Sequence, residues 1–289
     1  MLLAEVVVEH EAAASRAGTL AAEDIGKLSG GSQGDGHAGW GGLRCTLDEE
    51  GTSGEIAVTE AEWLVCTDPA AMLNYLRDWA SDRKLRLFAV ACCRRFWRKL
   101  QDKRSKQAVA VSECYADGMA DKKELASARS GAVAANNDAV GWDAVTRTRQ
   151  KDWDAPTFIA WCTAREMIGA AATELMRAYW HLGWQKRDPA NDQARQTKLL
   201  HDIFGNLFRP VTIPPAVLAW HDSTVVRLAQ AAYDDRHLPS GTLDNGRLAV
   251  LADALEEAGC TDTEILGHLR GPGPHVRGCW PVDLCLGKS

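Results

Sequence analysis

Several features that a chain of 289 residues can carry are missing from this one. No stretch approaches the roughly 18 consecutive uncharged apolar residues that a membrane span requires. No H-E-x-x-H, C-x-x-C or complete P-loop occurs, and each of those spacings is demanded by a particular chemistry. The terminal Gly287-Lys288-Ser289 lacks both the preceding glycine and the helix that would make it phosphate-binding. At the other end, "MLLAEVVVEHEAAASR" places Glu5, Glu9 and Glu11 where a secretory leader has basic and then purely apolar residues. The expectation is therefore a protein that is not exported and resides in the cytoplasm.

A charge of one sign is also missing from most of the chain. The whole carries −6 at neutral pH. Residues 1–58 hold three basic residues (Arg16, Lys27, Arg44) against ten acidic ones, a balance of −7. The other 231 residues, with 30 basic and 29 acidic groups, stand at +1. Overall charge therefore selects no partner.

Cysteine and tryptophan, by contrast, are plentiful. Nine cysteines, an odd number in a chain without a leader, read as reduced thiols that pack as small apolar side chains. Eleven tryptophans read as fillers between helices, with each indole N–H on a carbonyl.

Glycine concentrates in "SGGSQGDGHAGWGG", a segment too costly in backbone entropy to fold without strong packing. Residues 1–58 thus read as an acidic, largely disordered extension. Gly34-Asp35-Gly36-His37-Ala38-Gly39 is formally G-x-G-x-x-G, but neither flank spells the strand and helix that dinucleotide binding needs.

From Thr59 the sequence changes character. Thr59-Glu60-Ala61-Glu62 spells a capping box, Asp68-Pro69 opens a second helix, and Ser81-Asp82 caps "RKLRLFAVACCRRFWRKL". Asp117-Gly118 ends one helix and Asp121 with Glu124 starts the next. Residues 155–184 read as one long apolar-periodic helix, and Asp188-Pro189 opens another that runs to about Phe204. "FGNLFRPVTIPP" interrupts, helices resume at about 223–235 and 243–258, and Thr261 to Glu264 spells a last capping box. No strand-like alternation stands out. The expected fold is all-α, with residues 59–289 as a single domain and a potential division into two lobes near 205–215.

Five blocks, "TEAEWL", "SDRKLRLFAVACCRR", "DIFGNLFRPV", "LADALEEAGC" and "GPGPHVRGCW" followed by "VDL", together resemble a family of functionally unassigned proteins that planctomycete bacteria carry in many copies. The likeness covers approximately 59–289. It implies a start equivalent to "TEAEWL", so that residues 1–57 would lie outside the fold. It implies no activity, substrate or cofactor. The chain departs from the family pattern at Pro281 and at Leu269, where cysteine is expected.

Three groups of residues invite a chemical reading. His275, Cys279 and Asp283 are four apart, so a continuous helix would place them on one face. With Cys260 and His268 they sketch a zinc site of Cys/His ligands. The spacing C-x7-H-x6-H-x3-C matches no finger or ribbon, however, and Pro281 breaks a helix through the block. The expectation is that the helix starts at Pro281, which scatters the face. No metal, catalytic residue or cofactor is therefore assigned, and His275, Arg277, Trp280 and Asp283 stand as a candidate partner or ligand surface.

Secondly, a basic helix read over residues 83–106 holds ten basic groups against Asp102 alone. Arg83, Arg86, Arg94 and Arg98 are candidate nucleic-acid contacts, although "FAVACC" at the centre is apolar all round and marks a core helix. Thirdly, Asp253, Glu256 and Glu257 read as a solvated face. The leading expectation is a protein that works by contact with another protein, ahead of a nucleic-acid-binding module and of a metal-dependent enzyme centred on "HVRGCW".

Overall fold

Polar caps set where the helices begin. The computed structural model describes residues 58–77, 80–143, 148–149, 155–165 and 189–288. The glycine-rich extension, the G-x-G-x-x-G and residues 166–184 of the expected long helix lie outside the described residues. Thr59 closes a reciprocal capping box with Glu62 and starts α1 (Glu60–Val65), and Asp68 caps α2 (Pro69–Leu76). Ser81 caps α3 (Asp82–Arg95), Asp102 caps α4 (Lys103–Ala116), and Asp121 with Glu124 boxes α5 (Lys122–Val140). Each cap satisfies backbone N–H groups that the first turn leaves without a partner. A two-residue antiparallel pair, β1 (Trp142–Asp143) with β2 (Thr148–Arg149), follows. It is too short to alter an all-α fold.

The remaining helices are α6 (Ala155–Thr163), α7 (Pro189–Phe204), α8 (Pro215–Leu218), α9 (Trp220–Asp234), α10 (Asn245–Glu257), α11 (Thr263–Leu269) and α12 (Trp280–Leu286). Two differ from expectation. The cap of α11 is Asp262, which accepts from the N–H groups of Glu264 and Ile265, one residue later than the Thr261 box. The helix expected over 155–184 is interrupted, because α6 ends at Thr163 and Arg165 lies outside helical geometry. The freed carbonyls of Thr163 and Arg165 are captured by the guanidinium of Arg86, at 2.7 and 2.8 Å. That capture is tertiary, so no local pattern foretells it.

Burial explains the arrangement. Every residue of α3 from Leu85 to Arg94 is buried, and the helix packs against α4, α6 and α7. A second apolar cluster joins α9 through α12, with Val225, Tyr233, Leu251, Leu255, Ile265 and Val282 at its centre. Buried thiols pack within both regions. Burial raises Cys92 and Cys285 to about 12, so both stay protonated and inert.

The turn after α7 ties these regions together. Trp63 is fully buried and donates its indole N–H to the Gly205 carbonyl at 2.9 Å. Gly205 has φ +65°, and a Cβ there would lie 2.9 Å from the Trp280 ring. Gly205→Ala is therefore expected to destabilise the fold by about 1–3 kcal/mol. A thermal melt reads the loss as a lowered midpoint.

Candidate functional site

Of the four C-terminal residues singled out by their density, His275, Arg277 and Asp283 are buried and Trp280 is half-buried. Asp283, on the first turn of α12, is fully buried. It accepts both terminal nitrogens of Arg83, at 2.6 and 2.9 Å, and the Tyr233 hydroxyl at 2.6 Å. Tyr233 in turn accepts the Gly278 N–H at 3.0 Å. Burial, and then the charge of Asp283, push the Tyr233 phenol well above its ordinary pKa, so it remains a donor. Arg277 is buried against Asp117, which also pairs with Arg83 at 2.8 Å and Lys288 at 3.3 Å.

Burial alone would raise the Asp117 carboxyl, but Arg277 and then Arg83 outweigh it and hold the group below its ordinary value of 3.8. A carboxylate with a depressed folded pKa contributes stability above its unfolded pKa and loses it as pH falls through the folded value. The stability gap between wild type and Asp117→Asn is therefore expected to close as pH drops below about 4. Urea unfolding at stepped pH measures it.

His275 and Cys279 meet at a separate centre, together with His268 and one residue the sequence reading omits, Asp202. Asp202 sits in the last turn of α7, where the dipole disfavours a carboxylate and a positive or hydrogen-bonding partner is required. It has two such partners: Oδ1 is 2.9 Å from His268 Nε2 and 2.8 Å from His275 Nδ1. Oδ2 accepts the Val276 N–H at 2.9 Å. The Cys279 sulfur lies 3.4 Å from His268 Nε2 and 3.9 Å from His275 Nδ1. All four donor atoms fall within 4.8 Å of one another.

The electrostatics follow from that contact. Burial works against the Asp202 carboxylate, yet the two imidazoles together hold its pKa below the ordinary value. Burial likewise disfavours the His275 cation, but Asp202 and the Gly271 carbonyl reverse the balance and raise its pKa. The Cys279 thiol is pushed well up, first by burial and then by the Asp202 charge.

Helical spacing does not assemble this centre. The helix starts at Trp280 with Cys279 as its cap residue, so His275 approaches through a loop. Gly278, at φ +97°, makes the bend, and a Cβ on it would meet Leu87 at 3.0 Å. The expected scattering of His275 and Cys279 is corrected, since a turn brings them together where a helix cannot. Cys260 is not part of the group. It is buried in the apolar cluster, close enough to Cys285 to raise that thiol.

The arginines proposed for nucleic acid are mostly turned inward as well. Arg86 is buried on the α6 carbonyls, and Arg83 is held by Asp117 and Asp283. Arg94 is buried against Glu113 at 2.5 Å, and Arg236 reaches the same carboxylate at 2.7 Å. Of the four, Arg98 alone is exposed. Three of the four candidate contacts are therefore engaged internally, Arg83 and Arg94 in ion pairs and Arg86 on backbone carbonyls, because the helix is buried from Leu85 to Arg94.

A cavity of about 260 Å³ borders the C-terminal block, lined by Lys84, Phe204, Arg209, Trp280 and Lys288 among others. Trp280 forms one wall and aims its indole N–H at His268 Nδ1, 3.3 Å away. None of Asp202, His268, His275 and Cys279 lines it. The three acids Asp253, Glu256 and Glu257 lie on the exposed side of α10, where Arg270 pairs with the first two.

Comparison of the chain with protein-family models, with curated proteins and with solved structures found no match.

Proposed function

We propose that this chain is a non-catalytic helical protein of the cytoplasm that works by contact with another protein. One observation carries the reading: the groups best equipped for chemistry are enclosed. Asp202, His275 and Cys279 are 2%, 3% and 0% exposed, and their polar atoms are engaged with one another. A general acid or base must come within hydrogen-bond reach of a substrate, and in this centre the His268 side chain, at 21%, is the one member with appreciable exposure. A metal-dependent enzyme centred on "HVRGCW" would need an open coordination position as well.

The outer surface offers different material. Adjacent Leu64 and Val65 on α1 are 51% and 75% exposed, while Trp63 between them and the core fixes the helix in place. A resemblance to proteins kept in many copies suits a contact role, as does the reducing compartment that a set of unpaired thiols favours. Among the described residues no helix is long and apolar enough to cross a membrane.

Affinity capture from the native host tests the proposal. A single protein should co-purify in stoichiometric amount with wild type and be lost with Leu64→Asp/Val65→Asp. Capture of no protein, or capture unaffected by the double substitution, contradicts it. A nucleic-acid module would instead retard DNA or RNA at low salt and lose that binding steeply as salt rises.

A further inference from the structure

We propose that Asp202 of α7, His268 of α11, and His275 and Cys279 of the C-terminal block form a four-ligand zinc site. The donor set is one carboxylate oxygen, two imidazole nitrogens and one sulfur, all within 4.8 Å. Tetrahedral zinc with Zn–N of about 2.0–2.1 Å and Zn–S of about 2.3 Å requires ligand atoms roughly 3.3–3.7 Å apart. The pairs measured here, 2.8, 2.9, 3.4 and 3.9 Å, straddle that range. Reaching it takes an expansion of about half an ångström between Asp202 and the histidines and a contraction of the wider pairs, which all lie within 4.8 Å.

The surroundings support the same ligand assignment. His275 presents Nδ1 to the centre and Nε2 to the Gly271 carbonyl at 3.2 Å. A ligating histidine commonly donates its other N–H to a carbonyl in this way, which fixes the tautomer with a lone pair facing the metal. The second oxygen of Asp202 is oriented by the Val276 N–H. Charge balances too, because a carboxylate and a thiolate neutralise a divalent ion. A neutral cluster is far cheaper to bury than separate charges.

All four positions are protein ligands, so the site is closed and structural, with no place for a substrate. Its effect is on architecture: it joins the end of α7 to segments 66 to 77 residues later. Mixed oxygen, nitrogen and sulfur donors in four-coordination suit zinc better than the octahedral, oxygen-seeking cations.

A hydrogen-bond cluster without metal is the competing state, and Trp280 separates the two. Its indole N–H points at His268 Nδ1, which serves as an acceptor only when the proton is on Nε2. Zinc on Nε2 places the proton on Nδ1 and turns Trp280 away, into the cavity it borders.

Full-length protein without a tag, stripped by a chelator under reducing conditions, is titrated with cobalt(II) and then zinc(II). The expected result is one equivalent of cobalt with the intense visible bands of four-coordination and a thiolate charge-transfer band. Zinc should bleach both, and each metal should change tryptophan emission. Cys279→Ser should lose the charge-transfer band, whereas Cys260→Ser should keep it. Binding of less than a tenth of an equivalent by wild type overturns the proposal. So do the pale spectrum of six-coordinate cobalt and a charge-transfer band that survives in folded Cys279→Ser. Wild type and Cys260→Ser decide the matter if Cys279→Ser does not fold.

Discussion

Asp202→Ala is expected to remove about 3–5 kcal/mol of stability, the cost of breaking a buried charged pair from one side. The carboxylate serves three donors at once: His268, His275 and the Val276 N–H. Alanine leaves a buried backbone N–H without a partner and a raised-pKa imidazole without its counter-charge. Each orphaned group carries its own desolvation penalty, about 1–3 kcal/mol for a neutral one. The loss has the same sign with and without zinc, because the metal needs this oxygen as well. Urea unfolding of the reduced protein measures it, and a change below 1 kcal/mol would mean that solvent reaches the centre.

Glu113→Ala should have a comparable effect, about 3–5 kcal/mol, for a related reason. Glu113 is 2% exposed and is shared by two arginines from distant parts of the chain. Arg94 reaches it at 2.5 and 3.2 Å, and Arg236 at 2.7 Å. Both guanidinium groups lose their carboxylate when it is truncated, although Arg94 keeps the Pro239 carbonyl and the face of Trp97. Arg98→Ala, in the exposed turn between α3 and α4, is the control. Exposed residues away from such networks usually change stability by less than about 0.5 kcal/mol. Similar losses in the two variants would refute the view that α3 is an internal helix.

Much of the architecture was legible locally. The boxes at Thr59 and Asp121 and the aspartate cap at 68 act within three residues, so sequence carries them almost whole, whereas the Asp102 cap was missed and divides the basic helix expected over 83–106 into α3 and α4. The all-round apolar centre of α3 foretold its burial for the same reason. The interruption after Thr163 was not legible, because the acceptor of its free carbonyls is an arginine 77 residues away.

The candidate site was half legible. His268, His275 and Cys279 are close enough in the chain to be considered together. The assumption of a helical face obscured how they meet, since a glycine bend at Gly278 performs the approach. Cys260 was included on sequence proximity and belongs to the apolar cluster. Asp202 was missed, although a signal existed: it lies three residues after Leu199 and next to Ile203, both buried. An acid on the buried stripe of a helix requires a partner, and two histidines later in the chain supply it.

Amide hydrogen exchange at Val276 and Gly278 probes the inward orientation of the C-terminal block most directly. These N–H groups donate to Asp202 and to the Tyr233 hydroxyl, side chains rather than helical carbonyls. If the block is an internal fastener, both amides should exchange only through global unfolding, as slowly as those in the middle of α3. Exchange at the rate of an exposed loop, while α3 stays protected, would contradict it.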